Sequence, residues 1–167
     1  MFQKLVYSLS LLLFSQLLIA NTDLPEKKTV ALIISGNISH TNADGELRLS
    51  LAQLQSLPQY TINTATRWTK GVKAFRGPLL RDVLALAKPQ GASLFAVASN
   101  EYRVDIPLKD SSDYNMILAL ALDGKALTMR SKGPIWIIYP WSDNPELEKG
   151  KYYSRAIWQL VELAINE

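Results

Sequence analysis

Two basic stretches carry the residues best suited to binding chemistry. Arg67, Lys70, Lys73, Arg76 and Arg81 follow one another with no acidic residue from 67 to 81, and Trp68 and Phe75 are interleaved among them. Lys125, Arg130 and Lys132 lie in a second acid-free segment, Gly124 to Ser142, that leads into Trp136 and Trp141. Guanidinium groups pair with phosphate or carboxylate and stack on rings. If the two stretches meet in space, they form a cationic, aromatic-lined cleft suited to a small planar anion. The competing expectation is a solvated basic face, with the tryptophans in the core.

Other chemistries are excluded by residue supply. With no Cys, the chain has no disulfide, thiol nucleophile, iron–sulfur ligand or cysteine-held zinc. The single histidine, His40, sits among Asn37, Ser39, Thr41 and Asn42. A histidine triad or metal site needs convergent partners that this neighbourhood lacks, so His40 is read as a solvated loop residue and no metal site is expected. No glycine-rich phosphate loop or Gly-x-Ser-x-Gly elbow is present. The net charge of +3 is a small difference between 18 basic and 15 acidic side chains, which gives no reason to expect a nucleic-acid partner.

The chain opens with Lys4 ahead of an apolar run from Leu5 to Ala20, followed by polar Asn21, Thr22 and Asp23. The run is shorter than the roughly 20 residues that span a bilayer. It is therefore read as a signal peptide over 1–20, cut near Ala20, which predicts a periplasmic protein without a membrane span in its mature form. Residues 21–45 are read as an N-terminal lead and a first strand. Residues 46–167, together with 29–45, are read as one globular unit.

The elements that must position the basic stretches are legible in part. Thr29 to Ile34 and Glu46 to Leu49 read as strands. Ser50 and Gln53 form a capping box that starts a helix, Leu49 and Leu54 are placed for a hydrophobic staple, and Pro58 stops the helix. Tyr60 to Trp68 is Thr-rich and extended. Gly77-Pro78 opens a second helix, with Pro78 taken as its first residue. Leu94 to Ala98, Tyr102 to Ile106, Met116 to Leu122 and Ile135 to Tyr139 read as strands. Asp123-Gly124 predicts a tight hairpin whose second strand is Lys125 to Met129. Near the C-terminus, a helical turn over Tyr153 to Ala156 precedes a final strand. The fold class is α+β: one strand-rich mixed domain with a few short helices.

The order of these motifs resembles a family. Thr66-x-Trp68, Phe75-Arg-Gly77-Pro78-Leu79-Leu80, Asn100-x-Tyr102-x-Val104-x-Ile106-Pro107, Asp123-Gly124-Lys125-x-Leu127, Lys132-Gly133-Pro134-Ile135-Trp136 and Arg155-x-Ile157-Trp158-Gln159-Leu160 succeed one another as in the molybdopterin-binding domain of the sulfite oxidase family. The resemblance is closest to its small, exported, single-domain members and spans roughly 46–165. It implies the sulfite-oxidase type of strand-rich fold. It also implies a pocket bordered by Thr66, Arg67, Trp68, Asn100, Tyr102, Arg130 and Lys132.

In catalytic members of that family, a cysteine thiolate in the region matching Thr64 to Trp68 ligates molybdenum. This chain has threonines there, and a threonine hydroxyl keeps its proton at neutral pH and lacks the softness of thiolate. Trp136 also stands where catalytic relatives more typically carry arginine. The expectation is a non-catalytic, exported binding module, with no catalytic residue and no cofactor. Its partner would be a small anionic or pterin-like ligand, or a periplasmic or membrane protein. The alternative is a genuine molybdopterin-dependent oxidoreductase without a protein cysteine ligand.

Overall fold

The computed structural model describes residues 29–166; the expected signal peptide and the polar lead, residues 21–28, lie outside them. Strand β1 (Val30–Gly36) buries Leu32 and Ile34 on one face, as its apolar run requires. It pairs antiparallel with β2 (Leu47–Ser50) and parallel with the C-terminal β11 (Leu160–Ile165). β5 (Ser93–Ala98) and β6 (Arg103–Pro107) complete a five-stranded sheet of order β2-β1-β11-β5-β6. The first and last of the described strands are thus paired in the middle of one sheet.

The predicted capping box is formed. Ser50 Oγ accepts from the Gln53 N–H at 3.2 Å, and Gln53 Oε1 accepts from the Ser50 N–H at 2.9 Å. These bonds satisfy two otherwise orphaned donors and start α1 (Leu51–Ser56). β3 (Tyr60–Ala65) follows and alternates, burying Ile62 and Thr64. It pairs along its length with β4 (Val72–Gly77), a strand hidden within the basic stretch. Phe75 turns inward from β4 to the core, and Arg76 turns outward.

The second helix, α2 (Leu80–Ala87), begins later than Pro78 suggested. The Pro78 carbonyl accepts from Leu118 N–H at 2.9 Å and Leu79 bridges Ile117, so both residues remain extended before the helix turns. Gly77 is required here, because a Cβ would collide with the backbone of Leu118. A further short helix, α3 (Leu108–Asp113), follows β6 and was not apparent from sequence.

The apolar run Met116 to Leu122 is two strands. β7 (Ile117–Ala119) pairs with β10 (Trp136–Ile138), whereas β8 (Ala121–Leu122) joins β4 and the hairpin strand β9 (Lys125–Ala126). The break at Leu120 arises because its N–H donates to Arg76 and its carbonyl accepts from Leu127. Asp123 and Gly124 adopt the positive φ values, 47° and 76°, that a two-residue hairpin requires. The partner strand stops at Ala126, and a 3-10 turn, Met129–Ser131, replaces its expected continuation. β10 is wholly buried, as its Pro-bracketed apolar sequence predicted. α4 (Gly150–Arg155) then leads to β11, and no helix among the described residues is long and apolar enough to cross a membrane.

Candidate functional site

Trp68 is the hub of an aromatic cluster. Its ring makes edge contacts with Trp158 at 5.5 Å, Trp136 at 5.9 Å, Tyr153 at 6.0 Å and Trp141 at 6.4 Å between centroids. Tyr153 stacks flat on Trp141 at 5.3 Å, and Trp136 meets Phe75 edge-on at 5.4 Å. Edge and offset geometries of this kind are the favoured ones for aromatic quadrupoles. Trp136, Trp141 and Phe75 are buried; Trp68, Tyr153 and Trp158 remain half-buried because a cleft opens beside them.

The cleft has a volume of about 320 Å³. Trp68, Tyr102, Tyr153 and Trp158 supply its rings, Ala98, Ala156 and Ile157 its aliphatic floor, and Asn100 and Ser154 its polar side chains. None of the lining side chains is charged, which corrects the expectation of cations inside it. Two cations stand on its aromatic walls instead. The Arg67 guanidinium lies 3.8 Å from the Tyr153 ring centre, and Lys132 Nζ lies 4.0 Å from that of Trp158. Neither has a carboxylate within ion-pair distance among the described residues, so both keep charge for a ligand.

Gln159, at a φ of 51°, ties the two sides of the mouth together. Its carbonyl accepts from the Ser99 N–H at 2.9 Å, its N–H donates to Lys132 O at 3.2 Å, and its side-chain amide donates to Met129 O at 2.9 Å. The turn bearing Asn100 and Tyr102 is thereby held beside the 3-10 turn bearing Arg130. Asn100 Oδ1 accepts from the Tyr102 N–H at 3.2 Å, which shapes that turn. Of the residues anticipated from sequence, Trp68, Asn100 and Tyr102 line the cleft, and Arg67 and Lys132 flank it. Arg130 is exposed on the adjoining turn. Thr66 lies buried below, its Oγ1 accepting from the Trp68 N–H at 3.2 Å and bonded to Thr69 Oγ1 at 2.8 Å.

Sequence reading missed Tyr153 and Ser154 as lining residues, and counted Ile157 and Trp158 only as parts of a motif. The other basic residues disperse. Lys73 pairs with Asp123 at 2.7 Å, and Arg81 bonds Asn115 and lies beside Asp82. Phe75 belongs to the core and offers no platform to a ligand.

Thr64, in the stretch that by resemblance matches the metal-binding thiolate of catalytic relatives, is fully buried. Its Oγ1 accepts from the Ser142 N–H at 3.0 Å and has the Ala65 carbonyl at 3.2 Å as acceptor. Ser142 Oγ in turn accepts from the Ala65 N–H at 3.0 Å. The hydroxyl thus has both a donor and an acceptor and seals β3 to the loop after β10. Among the described residues, no three His, Asp or Glu side chains converge as metal ligands would.

A buried polar network fixes the wall of the cleft. Asp110 Oδ2 accepts from Arg155 Nη1 at 2.8 Å and from the Tyr139 hydroxyl at 2.9 Å, and Arg155 Nε donates to Asp105 O at 3.2 Å. Arg155 ends α4, the helix that carries Tyr153 and Ser154, so this network anchors that helix to α3 and β6. Burial, then the charge of Asp110, pushes the Tyr139 phenol above its ordinary range. Beside it the Tyr114 phenol, bonded to the Tyr152 hydroxyl at 3.1 Å, is pushed up to about 12, chiefly by that bond.

Comparison with known proteins places this architecture. The model of the family described as the oxidoreductase molybdopterin binding domain matches residues 22–143. Among solved structures, the fold is similar to that of the sulfane dehydrogenase SoxCD from Paracoccus pantotrophus, with a TM-score of 0.61 at 20% sequence identity. The match covers 83% of this chain and 38% of that one, so the present chain corresponds to well under half of that protein's length. No curated protein sequence matches significantly.

Proposed function

The chain belongs to the oxidoreductase molybdopterin binding domain family, and from that premise we propose that it is a non-catalytic, exported member whose aromatic cleft binds a small, planar, ring-bearing anion. The observation that carries this reading is the contrast between Thr64 and the cleft. The residues present do not fit a protein-ligated molybdenum cofactor. The chain has no thiolate, and the Thr64 hydroxyl is buried with its hydrogen-bonding capacity taken up by Ser142 and Ala65. The cleft nevertheless keeps an apolar aromatic wall, which rewards burial of a flat ring. Asn100 and Ser154 offer polar contacts to fix its orientation, and Arg67 and Lys132 offer charge at the edge.

Titration followed by tryptophan fluorescence tests the proposal, because Trp68 and Trp158 line the cleft. A carboxypterin is expected to change the emission saturably, inorganic phosphate alone is not, and Trp158→Ala is expected to shift the midpoint to at least tenfold higher ligand concentration. Stoichiometric molybdenum and pterin in protein purified from its native compartment would overturn the non-catalytic reading in favour of an oxidoreductase without a cysteine ligand. Absence of saturable binding would overturn the small-ligand reading. Tyr102, 50% exposed on the cleft wall, and Met129, 55% exposed on the adjoining 3-10 turn, then favour a protein partner.

A further inference from the structure

The aromatic rings also form a graded path from the cleft into the core. Trp68, at the cleft, is 6.4 Å from buried Trp141, and Trp141 is 5.7 Å from buried Tyr139. The three differ in what an electron's removal would encounter. The indole N–H of Trp141 is buried with no acceptor among the described residues. An oxidised Trp141 therefore has nowhere to send its proton and stays a cation, which a buried apolar setting penalises. Tyr139 is the reverse case: its hydroxyl already donates to the Asp110 carboxylate at 2.9 Å.

The neighbouring rings are biased against holding positive charge. Arg67 lies 3.8 Å from the centre of the Tyr153 ring, and Lys132 lies 4.0 Å from that of Trp158. A ring that attracts a cation through its quadrupole is, once itself oxidised to a cation, repelled by it. Trp68 and Trp141 have no such cation over them among the described residues.

We propose that Trp68, Trp141 and Tyr139 form a one-electron relay that carries an oxidising equivalent from the cleft to a proton-coupled terminus at Tyr139 and Asp110. A small one-electron oxidant at the cleft takes an electron from Trp68 and is reduced. Trp141 returns an electron to Trp68, and Tyr139 returns one to Trp141. The Tyr139 hydroxyl proton passes to Asp110 Oδ2 as its electron leaves. The balance is one reduced oxidant, two restored indoles, a neutral tyrosyl radical and a protonated Asp110. Raising of the Tyr139 phenol by burial supports coupled loss of proton and electron, since the phenolate is disfavoured there. The relay is independent of which molecule the cleft binds.

Pulse radiolysis of the intact protein, with azide radical as oxidant at less than one equivalent, tests this directly. In the wild type, tryptophanyl absorption is expected to decay as tyrosyl absorption grows, at a rate independent of protein concentration. Tyr139→Phe keeps the ring and is expected to abolish that growth. Trp141→Phe, a second route to the same break, is expected to do likewise. Asp110→Asn keeps an acceptor oxygen but not a base, and is expected to slow the growth about tenfold or more. Tyr60→Phe, at an exposed ring of β3 outside the cleft and the relay, is expected to leave it intact. Near-ultraviolet circular dichroism checks that each variant retains its packed rings. Unchanged growth in folded Tyr139→Phe or folded Trp141→Phe overturns the relay, as does its loss in folded Tyr60→Phe.

Discussion

Two concave regions of similar size border the aromatic core, and they differ in what remains unsatisfied. The cleft beside Trp68 and Trp158 has apolar walls and cations without carboxylate partners. A groove of about 390 Å³ lies between β3 and the loops around Asn115 and Asn144, lined by Thr61, Ile62, Asn63, Asp113, Tyr114, Asn115, Pro140, Asp143 and Asn144. Several of its polar groups are already committed. Asp113 pairs with Lys109, Asn115 accepts from Arg81, and Asn144 donates to Pro140 O at 3.0 Å. A ligand entering the cleft removes apolar surface from water and meets uncompensated charge. In the groove it would have to displace protein hydrogen bonds or hydration for little apolar gain. Cavity size alone therefore does not mark a binding site.

The sharpest way to break this contrast is to remove the ring beneath the cleft. Trp136→Ala deletes a buried indole packed on Phe75 and Trp68 and bonded through Nε1 to Ala156 O at 3.0 Å. A loss of about 4 kcal/mol is expected in denaturant unfolding. Asn63→Ala in the groove is expected to stay within about 0.5 kcal/mol by the same measurement. Asp110→Ala leaves Arg155 unpaired and is expected to cost about 3 kcal/mol, read from thermal and denaturant unfolding. A cost below that of an exposed ion pair would show that α4 is held by apolar packing instead.

Ligand binding sharpens the contrast further. Trp158→Ala is expected to weaken ring-anion binding at least tenfold, about 1.4 kcal/mol, in calorimetric titration, while Asn144→Ala leaves it unchanged. The smallest effect belongs to the β8–β9 hairpin, outside both regions. Lys73, first by its hydrogen bond, and the Ala74 N–H hold the Asp123 carboxyl below its ordinary range. Because the folded state lowers this pKa, its contribution is complete above the ordinary carboxylate range and lost as pH falls through the depressed value. Unfolding midpoints from about pH 5 to about pH 2 are expected to fall slightly less steeply in Asp123→Asn than in the wild type.

Local signals proved legible where one short segment contains the whole cause. The Ser50–Gln53 box, the Asp123-Gly124 turn, the buried Ile135 to Tyr139 run and the final turn-then-strand each form in the structure. β4 was obscured because Lys73 and Arg76 made an alternating strand look like a basic surface run. The division of Met116 to Leu122 was hidden because each half is apolar; only their different neighbours, β10 and β4, separate them. Trp68, Asn100 and Tyr102 could be picked out at the cleft from motif order, whereas Tyr153 could not. Its place on the wall follows from α4 being anchored through Arg155 to Asp110, a contact that spans distant parts of the chain.

Residue supply, which only the sequence sets, decided that no thiolate is present, that histidine chemistry has a single candidate and that the turn and cap chemistry specifies a strand-rich α+β domain. Tertiary structure alone decided which charges remain uncommitted and which rings face a cleft. Lys73 and Arg67 are alike in sequence as cations of one basic stretch, yet one meets Asp123 and the other the Tyr153 ring. The physical reason is that a cation's availability depends on what lies within a few ångströms of it. In this fold, those neighbours come from segments remote in sequence.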